Sequence, residues 1–203
     1  MKLIDYNILE KICNNLSIKK GDKIYLGLDL INLSKQLKAK KINRYILVEQ
    51  ILNFFLKKIG KEGSLIIPVF NFKCIKEKKF DRRNSDGQSG AFGALLLKKY
   101  YKFRTINPVY SFLCFGKKKN FYLKIKSFNE TGKNSIWKYF IKDKFYLLTL
   151  GHHYIRSFTH VHYLERQAKI KYRYDKKFSL IYKDLNNISK KKSNFFFARK
   201  KNI

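Results

Sequence analysis

Residues 147–165 read LLTLGHHYIRSFTHVHYLE, and this stretch sets the expectation for the fold. Its apolar beginning predicts a buried strand over 145–150, Gly151 ends that strand, and a helix is expected over 157–168. The order strand, loop, helix recurs along the chain, which predicts a layered α/β/α fold with a mixed, mainly parallel sheet. Functional sites in such folds lie beyond the strand ends.

The remaining segments carry similar signals. Apolar residues at helical spacing predict helices, and Asn43 and Gly60 mark the cap and the end of the broadest apolar stripe. A polar stretch over 71–89 predicts a long loop before a helix. The expected helices cover 4–16, 43–60, 90–101 and 135–141, and the expected strands cover 24–28, 64–70, 111–115 and 178–182.

The chain is long enough for one sizeable core, since 45% of its 203 residues are hydrophobic. We expect a single domain over 1–182 and a basic C-terminal tail over 183–203 that frays. Residues 1–6, MKLIDY, reach a charge before a long apolar stretch forms, so no signal peptide is expected. No apolar run of about 18 residues follows. The sequence therefore predicts a cytoplasmic protein without a membrane span.

Positive charge dominates the composition. The chain has 46 Lys and Arg against 14 Asp and Glu, which gives a formal net charge of +32. Such a charge attracts polyanions, so nucleic acid is an expected partner, but only without sequence preference, because no recognition motif is present. A drift toward adenine- and thymine-rich codons explains the excess of lysine, together with Asn, Ile, Phe and Tyr, without any ligand. Both explanations stay open.

All four histidines, His152, His153, His160 and His162, fall within residues 152–162. On a helix, His162 and Glu165 share a face, so the carboxylate can hold one ring nitrogen and leave the other as a base. A metal site is not expected, because the two-residue spacing between His160 and His162 points their rings apart. The window predicts an enzyme; ordinary surface histidines are the alternative.

A glycine-rich run, GQSGAFG, extends from Gly87 to Gly93. It lacks the residues of a Walker loop and does not follow a strand directly, as a dinucleotide-binding fingerprint would. Its backbone N–H groups could hold a phosphate at the helix start, and a flexible entry loop explains the glycines equally well.

Six segments stand in a characteristic order: the turn Gly21-Asp22 before a strand ending LGLDL, then VEQILNFFLKKIG, EGSLIIPVF, FDRRNSDGQSGAFG, RTINPVYSFLCFG and LLTLGHHYIRSFTHVHYLE. In order and spacing, over roughly residues 18–179, they resemble the aminoglycoside 3-N-acetyltransferase family. The later segments look closest to members found with surface-polysaccharide genes, which act on amino sugars.

The resemblance implies an acetyl-CoA-dependent N-acetyltransferase without a metal, acting on an amine-bearing sugar or an aminoglycoside. His162 and Glu165 match the family's His-x-x-Glu and form the catalytic pair, with Ser111 and Tyr110 as candidate oxyanion donors. His152 and His153 are the candidate acceptor contacts. The implied acetyl-CoA contacts are Asp29, Leu30, Gly87, Gly90, Ala91, Phe92 and Asn107.

Several positions depart from the family pattern. Gly27 and Leu28 stand where His-Ser is usual, Tyr110 replaces a histidine, Ala94 replaces a frequent Glu, and His153 replaces a frequent Asp. The high positive charge favours an anionic acceptor over a polycationic antibiotic, although antibiotic resistance is the family's best-known role. The alternatives are an inactive family member, a basic nucleic-acid-binding protein and a metal-dependent hydrolase.

Overall fold

The computed structural model describes residues 4–39 and 42–200. Residues 1–3, in the segment for which no signal peptide is expected, and residues 201–203, at the end of the basic tail, lie outside the described residues. The helices are α1 (Tyr6–Asn15), α2 (Leu30–Gln36), α3 (Arg44–Ile59), α4 (Lys73–Glu77), α5 (Ala91–Tyr100), α6 (Lys119–Leu123), α7 (Ile136–Lys142) and α8 (Val161–Gln167), with 3₁₀ turns at Tyr101–Phe103 and Tyr154–Ser157. The strands are β1 (Lys23–Leu28), β2 (Ser64–Pro68), β3 (Lys79–Asp81), β4 (Phe112–Gly116), β5 (Tyr146–Leu150), β6 (Arg173–Lys183) and β7 (Ser189–Arg199).

The central sheet has the order β4-β2-β1-β5. Strand β1 runs parallel to both β2 and β5, whereas β4 is antiparallel to β2. The predicted mixed, mainly parallel sheet is therefore confirmed. Its four strands place β1 in the interior, so the carboxyl end of β1 lies between the ends of two parallel neighbours, where α/β proteins commonly bind ligands.

Both faces of the central sheet are buried, which explains the apolar runs of its strands. In β1, Ile24 and Leu26 point into the core that helices α1, α2, α3 and α5 share. Tyr25, between them, points to the opposite face and packs with Trp137 and Phe140 of α7. The alternation along one strand thus produces the expected three layers.

Local caps decide where two of the helices begin. The Asn43 side chain accepts a hydrogen bond from the Tyr45 N–H, and Gly60 ends α3 with a φ of 66°, as predicted for this helix. Helix α2 was not predicted. It starts directly after β1 because the Asp29 carboxylate accepts hydrogen bonds from the Ile31 and Asn32 N–H groups. Asp29 therefore turns the chain at the strand end.

The prediction of a frayed basic tail is wrong for the part of the chain that the structure describes. Strand β7 pairs antiparallel with β6 from Arg173↔Arg199 to Lys183↔Ser189, and β3 completes this second sheet. Asn194 and Phe197 of β7 are buried, although Lys190, Lys191 and Arg199 of the same strand are exposed. The Lys192 ammonium lies 4.4 Å from the Tyr182 ring centre, so even a lysine packs here.

Two segments around the expected site also differ from the prediction. The helix expected over 157–168 is split into the 3₁₀ turn Tyr154–Ser157 and the later helix α8. The loop expected over 71–89 contains α4 and β3, and β3 joins the second sheet. Pairing with β6, which is distant in sequence, creates this short strand.

Arg104 holds the segment that leads into α5. It is fully buried, and its guanidinium donates to the carbonyls of Ser85 and of Val69, the latter at 3.1 Å. It also donates to the Ser111 hydroxyl at 3.0 Å. Burial lowers the pKa of Arg104 to about 9, so the side chain stays charged at neutral pH. The backbone beside the start of α5 is thus fixed by one buried cation.

Replacement of Arg104 tests this role. Arg104→Met removes the side-chain donor to the Ser85 carbonyl and one of the two donors to the Val69 carbonyl, which keeps the Ser111 hydroxyl. An unsatisfied buried polar group costs about 1–3 kcal/mol, so the free energy of unfolding should fall by about 3 kcal/mol. Lys102→Met is the matched control, because Lys102 is exposed and surface changes usually stay within about 0.5 kcal/mol. Urea denaturation measures both. Equal stability of the two variants would contradict the role of Arg104.

Candidate active site

A cavity of about 700 Å³ opens beyond the carboxyl ends of β1 and β2. Its walls come from the strand ends, the starts of α2 and α5, the histidine window and the second sheet. Its lining comprises Tyr25, Gly27, Leu28, Asp29, Leu30, Ile31, Pro68, Phe70, Phe72, Gln88, Ser89, Gly90, Ala91, Tyr110, His152, Arg156, Ser157, Thr159, His162, Arg173 and Phe196. Its size is typical of sites for small molecules and cofactors.

His162 and Glu165 form the central polar pair. The His162 Nδ1 atom lies 2.7 Å from Glu165 Oε2, and both residues belong to α8. With the Nδ1 proton donated to the carboxylate, the lone pair is on Nε2. The imidazole is part of the cavity wall. The pair therefore presents a base to the cavity, in the arrangement that the three-residue spacing predicts.

The second sheet fixes Glu165 from the other side. The Tyr172 hydroxyl donates to Glu165 Oε1 at 2.6 Å, and Arg173 Nε lies 2.8 Å from Glu165 Oε2. Burial raises the pKa of Glu165, but the hydrogen bonds from Tyr172 and His162 and the charge of Arg173 outweigh it, so the net pKa is below its usual value. Glu165 therefore stays ionised and can stabilise a protonated His162.

Four of the seven implied acetyl-CoA contacts lie at the cavity: Asp29, Leu30, Gly90 and Ala91. The Asp29 carboxylate is already hydrogen-bonded within the protein, since it caps α2 and accepts a hydrogen bond from Asn32 Nδ2. Gly87 lines a neighbouring cleft, and Phe92 is buried in the core. Asn107 accepts hydrogen bonds from the Val109 and Tyr110 N–H groups, so it positions Tyr110.

The two candidate oxyanion donors have different surroundings. Tyr110 lines the cavity and packs edge-on against Phe70, with ring centres 5.0 Å apart. Burial raises the pKa of Tyr110, which keeps its hydroxyl protonated. Ser111 is outside the cavity lining and fully buried, and its hydroxyl donates to the Val69 carbonyl at 2.8 Å. The structure brings Tyr110, but not Ser111, to the site.

The remaining histidines differ from one another. His152 lines the cavity, and its Nε2 lies 2.8 Å from Ser157 Oγ. His153 is exposed, stacks beside Tyr154 and is not part of the lining. His160 packs against Phe158 with ring centres 4.2 Å apart, and burial lowers its pKa, which favours the neutral ring. Only one of these three is placed to contact a molecule in the cavity.

Sequence reasoning missed several residues of the site. Tyr172 and Arg173 reach Glu165 from beyond the helix, and no local pattern connects them to it. Arg156 and Ser157 belong to the 3₁₀ turn that was expected to be loop and helix start. Arg173 also donates to the Phe197 carbonyl of β7, so this strand, which the sequence did not predict, supports the site directly.

Two further findings concern the described residues only. Within 4–39 and 42–200, no group of three or more His, Cys, Asp or Glu side chains is close enough together to hold a metal ion. Across the same ranges, no helix has both the length and the apolar character needed to cross a membrane.

A family model described as aminoglycoside 3-N-acetyltransferase matches residues 40–196. The chain belongs to the aminoglycoside 3-N-acetyltransferase family. The matched span includes the glycine-rich run, the His162–Glu165 pair and most of the second sheet. No curated protein sequence matches the chain.

Solved structures share the fold of this acetyltransferase family member. AAC-IIIb, solved as a binary complex with CoASH, has a TM-score of 0.74 at 15% identity, over 95% of this chain and 75% of that one. AAC-VIa bound to sisomicin has a TM-score of 0.73 at 13% identity, over 96% and 76%. The YokD protein from Bacillus subtilis has a TM-score of 0.68 at 17% identity, over 93% and 80%. At these identities the likeness establishes the fold.

The lowered pKa of Glu165 predicts a pH-dependent stability. A carboxylate with a lowered pKa stabilises the fold above its usual value of about 4.3, and this contribution is lost as the pH falls through the folded-state pKa. Glu165→Gln should therefore reduce the free energy of unfolding clearly at about pH 7 and much less at about pH 3, as measured by urea denaturation.

Glu62→Gln provides the control for this comparison. Glu62 pairs with Lys117 on the surface, and its side chain is 68% exposed, so its removal should have little effect at either pH. A Glu165→Gln deficit of equal size at both pH values would show that the ionised carboxylate contributes nothing to stability.

Proposed function

We propose that this protein is an acetyl-CoA-dependent N-acetyltransferase that modifies an amino group of an amino sugar. The observation that carries the proposal is the His162–Glu165 pair, which presents a base to a cavity of about 700 Å³. Membership of an N-acetyltransferase family supports the reaction class. The sequence departures at Gly27, Tyr110 and His153 leave this pair intact, which argues against an inactive family member.

In the proposed reaction, a neutral amine attacks the thioester carbonyl of acetyl-CoA. His162 Nε2 removes the amine proton, and Glu165 holds the ring and stabilises the imidazolium. The Tyr110 hydroxyl is the candidate donor to the developing oxyanion. The thiolate of CoA leaves and takes up a proton. General base catalysis of this kind contributes about 10²–10⁴ in rate, which corresponds to about 3–5 kcal/mol.

In the proposed reaction, acetyl-CoA binds at the starts of α2 and α5. Gly90, which has a φ of 104°, and Ala91 expose backbone at the first turn of the ten-residue helix α5. Helix N-termini favour phosphate and carbonyl oxygens. The complex of the structurally similar AAC-IIIb with CoASH supports acetyl-CoA as the cosubstrate.

The charges of the cavity lining bear on the acceptor. Arg156 contributes a positive group and His152 a protonatable one, while Arg173 is paired with Glu165. The acidic group of the lining, Asp29, caps α2. A polycationic aminoglycoside would therefore meet few acidic partners, and an amino sugar that carries phosphate fits this lining better. A role in antibiotic resistance is correspondingly less favoured than a role in building a sugar polymer.

The proposed cosubstrate also suggests where the protein works. Acetyl-CoA is made and consumed inside cells, and Cys13, Cys74 and Cys114 are buried free thiols, as is usual in reducing compartments. We infer a cytoplasmic location. Nucleic acid remains a partner through charge alone, with an affinity that falls steeply as salt rises.

Substitution of His162 tests the proposed base. His162→Ala should lower the turnover by about 10²–10⁴, because the amine proton loses its acceptor. The affinity for acetyl-CoA should stay nearly unchanged, since the base acts on the amine. Glu165→Gln should be milder, because the amide keeps the shape and a hydrogen bond. Thiol release with a panel of amino sugars and calorimetric titration with acetyl-CoA measure the two quantities.

His153→Ala is the matched control, because this exposed ring lies outside the cavity lining. Its effect should be smaller than that of either other substitution. Full turnover by His162→Ala would remove His162 from the role of base, and a loss of acetyl-CoA affinity equal to the loss of turnover would make it a binding residue.

A further inference from the structure

A second hydrogen-bonded pair faces the same cavity as His162. The His152 Nε2 atom lies 2.8 Å from Ser157 Oγ, and both side chains are part of the cavity lining. Ser157 is buried apart from its place in the cavity lining. Serine paired with histidine at this distance is the arrangement that activates a hydroxyl as a nucleophile. The direct-transfer reaction described above assigns no chemical step to this pair.

Gly27 makes room for the serine hydroxyl. A Cβ atom at Gly27 would lie 1.9 Å from Ser157 Oγ and 3.5 Å from His152 Nε2, so any side chain there would displace the hydroxyl. Gly27 lies inside β1, where glycine weakens a strand, and its φ is not positive. Close approach of another group is the remaining physical reason for glycine at this position.

The backbone before His152 is also fixed. The Asn32 side chain donates to the Gly151 carbonyl at 3.0 Å and to Asp29 at 3.1 Å. Gly151 has a φ of 78°, and a Cβ atom there would lie 2.8 Å from the Asp29 carbonyl. The chain that carries His152 is therefore held against the start of α2, which keeps the imidazole in reach of Ser157.

We propose that Ser157 accepts an acetyl group from acetyl-CoA when no amine is bound, which gives the protein a slow acetyl-CoA hydrolase activity. This proposal rests on the acetyl-CoA site of the proposed function. The Ser157 hydroxyl transfers its proton to His152 Nε2 while its oxygen attacks the thioester carbonyl. The carbon–sulfur bond then breaks, and the CoA thiolate leaves as a thiol after taking the proton from His152.

Water completes the cycle. The acetyl ester on Ser157 remains in the cavity with His162, which can take a proton from a water molecule as it attacks the ester carbonyl. The bond from the carbonyl carbon to the serine oxygen breaks, the serine oxygen takes up the proton that His162 removed from the water, and the acetic acid leaves as acetate and a proton. The overall reaction is therefore acetyl-CoA and water to acetate, CoA thiol and a proton, without an oxidant, a metal or a further reactant.

The test uses the full chain and acetyl-CoA alone. Acid-quenched samples are digested and analysed by mass spectrometry for an acetyl group on Ser157, while a thiol reagent follows CoA release. The wild-type protein should bind acetyl-CoA, carry acetyl on Ser157 and release CoA. Ser157→Ala should do neither of the last two, and His152→Gln, which keeps a hydrogen bond, should lower CoA release by about 10²-fold or more.

Gly27→Ala and Ser193→Ala complete the set. Gly27→Ala retains the hydroxyl but displaces it, so acetylation should fall, whereas Ser193, exposed on the β6–β7 hairpin, provides a serine control with wild-type behaviour. Bound acetyl-CoA without acetyl-Ser157 and without CoA release would overturn the inference and leave the proposed function standing. Unchanged CoA release by Ser157→Ala would also overturn it, and absence of acetyl-CoA binding would overturn both proposals.

Discussion

The carboxylate of Glu165 is the point at which three parts of the structure meet. It contacts His162 within helix α8, the Tyr172 hydroxyl just before β6, and Arg173 at the start of β6. Because its pKa is lowered by these partners, it remains a charged anchor for all of them. The second sheet, helix α8 and the His162 imidazole therefore keep their positions through one half-buried anion, in a chain whose composition is strongly basic.

The central sheet determines which residues line the cavity beside His162. Strand β1 lies between two parallel neighbours, so its carboxyl end opens into a space that β2, α2 and α5 enclose. Tyr25 and Gly27 occupy alternate positions on the side of the strand that faces the cavity. The short side chain of Gly27 admits Ser157, and the turn made by Asp29 brings α2 to the rim. Gly27 and Asp29 thus shape both the end of strand β1 and the wall of the cavity.

Local signals were readable from the sequence, and contacts between distant segments were not. The Asn43 cap, the Gly60 stop and the three-residue spacing of His162 and Glu165 depend on neighbours in the chain, and the structure contains each of them. Ser111 was expected at the site, but Arg104 holds its hydroxyl in the core. Strand β7 could not be predicted, because a lysine-rich segment in which the phenylalanines are consecutive rather than alternating resembles a solvated tail until its partner β6 is known.

The central claim is that the cavity beside His162 binds acetyl-CoA, and a thermal unfolding titration with acetyl-CoA at low salt tests it most directly. A ligand at 100 times its dissociation constant should stabilise the fold by about 2.7 kcal/mol, seen as a concentration-dependent rise in Tm. Ala91→Trp, which fills the cavity from its rim, should remove that rise. No rise in the wild-type protein, or the same rise in Ala91→Trp, would contradict the account.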